Sequence, residues 1–171
     1  MKNIYSLNTW VLFLFMTIPI ILQNTEIGGY LSLIEFTFFI IWFYMLANDL
    51  FKKLPGGHSM NIKKFRFHFF FPLTYFLLVI VTMGGYTISV SDNTNEYVYF
   101  PEGVLIVLHL FSFYCIFYCL YFISKALISV FNNNKNPDWT LYIGYLFAFW
   151  ITPIGIWFIQ PKVKAIFKDQ Q

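Results

Sequence analysis

The chain has 171 residues, of which 58% are hydrophobic, 23% aromatic and only 11% charged. Soluble domains carry about 25% charged residues, so a single small water-soluble core is excluded and lipid must meet much of the surface. The net charge of +3 is too small to argue for a nucleic-acid partner.

Five apolar segments predict an all-α fold, a polytopic transmembrane helix bundle forming one domain over residues 1–171. Each is measured against the roughly 20 residues that a helix needs to cross hydrocarbon. No strand-like alternation competes, and an open sheet edge could not survive in lipid. The first span covers about 4–22 and contains Pro19. Gln23-Asn24-Thr25-Glu26 follows it without a small-residue cleavage pattern, which predicts an uncleaved span rather than a signal peptide.

The second span, 29–50, carries Glu35. The loop after it holds Lys52, Lys53, Lys63, Lys64 and Arg66, a basic cluster suited to anionic lipid headgroups. The third span, 67–90, contains Pro72 and Gly84-Gly85, residues that favour kinking or close helix packing. The next loop, "SDNTNEYVYFPEG", has Asp92, Glu96 and Glu102 but no Lys or Arg. Its Tyr97, Tyr99 and Phe100 fit an interfacial aromatic belt. The fourth span is 104–130 and the fifth 139–159, the latter interrupted by Pro153 and Gly155. A short amphipathic tail, 161–168, follows at Pro161, with Val163, Ile166 and Phe167 on one side and lysines on the other.

Lys and Arg gather in cytoplasmic loops, so Lys2 and the basic second loop predict a cytoplasmic N-terminus. One stretch, "WITPIGIWFIQPKVKAIF", breaks this pattern. Counting a full fifth crossing puts the tail outside, whereas Lys162, Lys164 and Lys168 read as inside. Two resolutions follow: four full spans plus a fifth Pro/Gly-broken span, or four spans plus a re-entrant segment that turns back at Thr152-Pro153-Ile154-Gly155. The helix-break residues in either case are Pro153, Gly155 and Pro161.

Ionisable groups inside spans are costly and become candidates for function. Glu35 and His109 each fall roughly 8 Å below the outer end of their spans, from the helix rise of 1.5 Å per residue. They are a candidate intramembrane pair, either satisfying one another as a packing device or binding a proton, ion or ligand. On the fourth span Ser112, Cys115 and Cys119 form a stripe of small residues that reads as a helix–helix seam. Its thiols, in apolar surroundings, are expected to be inert. Tyr114, Tyr118, Tyr121 and Lys125 form an opposite stripe, either a wet groove or interface, or lipid-facing aromatics with a snorkelling lysine. His68 and His109 lie near opposite ends of their spans, too far apart to share a haem. No zinc spacing, phosphate loop or nucleophile elbow occurs, so the expectation is no catalytic residue, no metal and no cofactor.

The segments "IWFYMLANDLFKKLP", "FRFHFFFPLTY", "FYCIFYCLYFISKALISV" and "PIGIWFIQPKVKAIF" resemble those of small uncharacterised bacterial integral-membrane proteins that end in a Pro-Ile-Gly-Ile-Trp segment, an Ile-Gln-Pro and a basic tail. The similarity covers about half of the chain, is most specific over 150–167, and departs at the shorter loop "FNNNKNPDW". It implies a bacterial inner-membrane location and no particular activity. The expected function is therefore non-enzymatic, through homo-oligomers or a membrane-protein partner in the lipid bilayer. The alternatives are a small oligomeric channel or transporter using Glu35 and His109, or a membrane effector of a bacterial defence system.

Overall fold

A computed structural model of the protein describes Tyr5 and residues 7–88 and 102–168, leaving aside the side chains of Glu26, residues 81–88 and Glu102. Lys2, Asp92, Glu96, Tyr97, Tyr99 and Phe100, used above, lie outside this set. Among the described residues every regular element is helical: α1 (Thr9–Ile21), α2 (Glu26–Lys52), α3 (Ile62–Ile88), α4 (Glu102–Phe131), α5 (Trp139–Trp150) and α6 (Thr152–Phe167). Two stretches, Ile27–Lys52 and Gly103–Phe131, are long and apolar enough to cross a membrane. The five-segment reading is thus reduced among the described residues.

The differences have local causes. Helix α1 begins at Thr9 rather than residue 4, because the Asn8 side chain accepts from the Trp10 N–H and caps the helix there. Its 13 residues make about 20 Å, short of the ~30 Å hydrocarbon core. The fifth segment is not one helix but two, parted at Ile151. Pro153 sits in the first turn of α6, where a missing N–H costs nothing. Pro161 lies inside α6 and does not end it, so the tail continues that helix. Ile159, Gln160 and Val163 around it are fully buried, and that packing outweighs the one hydrogen bond a proline removes.

The chain divides into two compact units. The first, residues 1–60 and 120–171, contains α1, α2, the last part of α4, α5 and α6. Its core is built from stripes at helical spacing: Trp42, Leu46 and Leu50 of α2, Ile123 and Leu127 of α4, and Ile156, Ile159 and Val163 of α6. Helices α1 and α2 form an antiparallel pair, with Phe15 edge-on to Phe38 and Tyr5 reaching Asp49. Helices α5 and α6 also fold back on one another. The crossing point is Gly155, where a Cβ would stand 1.7 Å from the Ala148 carbonyl oxygen. Only glycine admits that approach.

The second unit, residues 61–119, pairs α3 with the first part of α4. Phe71 meets Phe111 edge-on, and His68 stacks on Tyr118 at 4.2 Å between ring centroids. Tyr75 is hydrogen-bonded to His109.

Candidate functional site

The polar chemistry of the first unit collects where α2 and α6 end and α1 begins. Gln160, fully buried on α6, donates both amide protons, to the Tyr5 and Leu7 carbonyl oxygens at 3.0 Å each. Both neighbours are carbonyls, so the nitrogen must face them. Its Oε1 is buried and meets no donor among the described residues. The Tyr5 hydroxyl donates to Asp49 at 2.8 Å, and the other Asp49 oxygen accepts from Lys52 at 2.7 Å. The Tyr5 ring stacks on Phe167 at 4.4 Å. Lys53 lies over the same Phe167 ring and donates to the Ile166 carbonyl at 3.1 Å. One knot thus ties the N-terminal segment, the end of α2 and the end of α6.

Electrostatics explain why lysines gather there. A helix C-terminus carries unpaired carbonyls and about half a negative charge, which a cation offsets. Lys53 serves α6 in this way. The last α4 carbonyls instead accept from the following turn, in bonds from Asn132 to Ile128, Asn133 to Val130 and Asn134 to Ser129. Burial first, and then the hydrogen bond to Asp49 and its negative charge, push the Tyr5 phenol up from its ordinary value. Tyr5 therefore stays a donor across the physiological range. The Lys52–Asp49 pair is exposed and contributes little by itself.

Two cavities lie in the first unit. An open groove of about 450 Å³ runs along the α5–α6 hairpin, lined by Gly144, Tyr145, Ala148, Ile151, Gly155 and Phe158 among others. A second, of about 440 Å³, lies among Lys53, Val130, Phe131, Ala165 and Ile166, and so joins the ends of α2, α4 and α6. Lys162 meets one lining ring of each, its ammonium 3.6 Å from the Phe131 ring centroid and 5.4 Å from that of Tyr145. Such placement over two ring faces is a cation–π arrangement.

The residues singled out from the sequence are distributed as follows. Glu35 is half-buried on α2 in the first unit, and His109, bonded to Tyr75, belongs to the second. Ser112, Cys115 and Cys119 are all buried, the two cysteines as free thiols. The tyrosine stripe divides between the units. Tyr114 and Tyr118 flank His68, whose Nδ1 donates to the Lys64 carbonyl at 2.7 Å. Tyr121 accepts from Lys125 at 3.1 Å and meets Tyr142 edge-on. Of the basic cluster, Lys63, Lys64 and Arg66 are exposed in the second unit, whereas Lys52 and Lys53 enter the polar knot. Among the described residues no group of three His, Cys, Asp or Glu side chains could hold a metal. Sequence reasoning missed Tyr5, Asp49 and Gln160. The available signals were a lone amide in "IWFIQPKV" and a carboxylate at the basic end of α2. No family model, curated protein or solved structure matches the chain.

Proposed function

We propose that the chain is a multi-pass protein of a bacterial inner membrane that acts by association within the bilayer, with copies of itself or with a membrane partner, and not by catalysis. The observation carrying this reading is the outer surface of the two long apolar helices. Ile27, Tyr30, Leu33 and Ile34 of α2 and Val104, Ile106, Val107 and Leu110 of α4 are all exposed. An apolar surface of that extent needs lipid or protein against it. The exposed threonines agree: Thr37 bonds the Leu33 carbonyl and Thr74 the Phe70 carbonyl, each satisfying itself within its helix. The bacterial location rests on the resemblance of the C-terminal segment.

In this reading the start of α1, the α2–α3 loop and the tail share the cytoplasmic side, and α5–α6 is a re-entrant hairpin. Its turn packs through Phe149 on Trp42, ten residues before Lys52 in α2 and thus about 15 Å in from that end. Irregular backbone at such depth is tolerated only where its polar groups are satisfied. Here the Ile151 carbonyl accepts from both Ile154 and Gly155, the Ile151 N–H reaches Phe147, and the Thr152 hydroxyl reaches Phe149.

Vesicle flotation after alkaline washing tests the location, and recovery of the chain in the washed supernatant overturns it. Labelling of a Gln171→Cys variant with an impermeant reagent from one side at a time tests the hairpin; reaction only from the outer side overturns re-entry. Cross-linking in the membrane is expected to give a band larger than the monomer. Monomer alone at every cross-linker concentration removes the association.

A further inference from the structure

We infer that the α5–α6 hairpin is a binding site for one anionic phospholipid, with an acyl chain in the apolar groove and the phosphate held by Lys162 and Lys53. This rests on the membrane reading above and names a ligand for the hairpin. The two cavities differ in character. The groove is apolar apart from Tyr145, whereas the neighbouring cavity includes a lysine and backbone at helix ends. Tyr145 lines the first and Phe131 the second, and Lys162 sits against both rings. An amphiphile laid across this junction has its tail in the groove and its head beside two cations.

The sign of the head follows from the surrounding charges. The only carboxylate described in the polar knot, Asp49, is already bonded to Tyr5 and Lys52. The α4 carbonyls at this end accept from the following turn, and that of Ile166 accepts from Lys53. Lys162 has aromatic faces beside it and no carboxylate partner among the described residues. Among the described residues net positive charge is left over, and a phosphate diester offsets it.

The groove also permits a clean test. A Cβ added at Gly144 meets nothing within 4 Å, so Gly144→Leu fills open space without moving backbone. The purified chain is exchanged into nanodiscs of phosphatidylcholine containing phosphatidylglycerol or phosphatidylethanolamine, and retained lipid is counted by native mass spectrometry. The expected result is one retained phosphatidylglycerol in the parent protein and none in Gly144→Leu. Lys162→Ala weakens retention roughly fivefold, the worth of one lysine near an anionic surface, while Lys162→Arg restores it. Equal retention of the three lipids, or retention untouched by both Gly144→Leu and Lys162→Ala, overturns the site while leaving the membrane reading intact. A dimer that Gly144→Leu converts to monomer assigns the groove to a second copy and overturns it too. Failure of the parent chain to enter nanodiscs overturns the membrane reading itself.

Discussion

Between α1 and α2 the chain reverses through Leu22, Gln23, Asn24 and Thr25; between α5 and α6 it reverses at Ile151. Both reversals bring a glycine against the backbone of the preceding helix, Gly28 on the Leu22 carbonyl and Gly155 on the Ala148 carbonyl. Their polar groups are satisfied in different ways. The first turn uses exposed polar side chains: Thr25 is the N-cap of α2, accepting from the Gly28 N–H, and donates back to Leu22. The second has no side-chain cap at its N-cap residue Ile151 and a proline in the first turn of α6. Its one hydroxyl, Thr152, points back into α5. A turn met by water can leave groups for water to satisfy, and one set in an apolar environment must close its own hydrogen bonds. In the membrane reading proposed above, the chemistry of each turn follows the solvent around it.

The sharpest way to break this comparison is Gly155→Ala. A Cβ 1.7 Å from the Ala148 carbonyl oxygen forces the hairpin apart, and we expect a loss of about 3 kcal/mol, at the upper end of overpacking costs. Gly28→Ala makes a similar overlap, 1.8 Å, but next to the exposed connection Gln23-Asn24-Thr25, which can yield, for about 1–2 kcal/mol. Denaturation in detergent measures both, and an equal loss removes the distinction between the turns. Gln160→Leu strips the Tyr5 and Leu7 carbonyls of their donor at the base of the hairpin and costs about 2 kcal/mol, the scale of a buried unsatisfied group.

Thr152→Val leaves the Phe149 carbonyl without its hydroxyl partner, for about 1–2 kcal/mol. Thr25→Ala removes a cap that water partly replaces, for about 1 kcal/mol or less. A larger loss at Thr25 than at Thr152 reverses the proposed solvent assignment. The smallest effect is a pH slope. The Tyr5 phenol is held above its ordinary value of 10.0, so the folded chain keeps a proton that the unfolded chain releases. That contribution is complete below pH 10 and declines as pH rises beyond it. Thermal melts of Tyr5→Phe against the parent, taken across alkaline pH, should show the steeper loss in the parent.

The long helices were legible because α2 and α4 are unbroken apolar runs, a signal that composition carries without any partner. The position of the hairpin turn was half legible. "TPIG" marks a break, but proline favours the start of a helix, so the reversal falls at Ile151, before the motif. The choice between crossing and turning back depends on which surfaces α6 meets, and periodicity does not contain that. The polar knot was the least legible part. Tyr5 and Asp49 are 44 residues apart, and Gln160 and Tyr5 are 155 apart, so no local spacing links them. Asn8 hid the true start of α1 for the opposite reason: capping is local, but a polar residue beside a tryptophan in an apolar run reads as part of the run.

The bonds from Gln160 to Tyr5 and Leu7 also set an order of events in time. A ribosome that adds about 5–20 residues per second makes those two carbonyls on the order of ten seconds before their amide exists. The segment around Tyr5 and Leu7 must wait, provisionally solvated or paired elsewhere, until α6 arrives to anchor it. Assembly of this unit is therefore complete only once α6 has been made, and truncations that stop short of α6 should leave the N-terminal segment open to proteases that spare it when α6 is present.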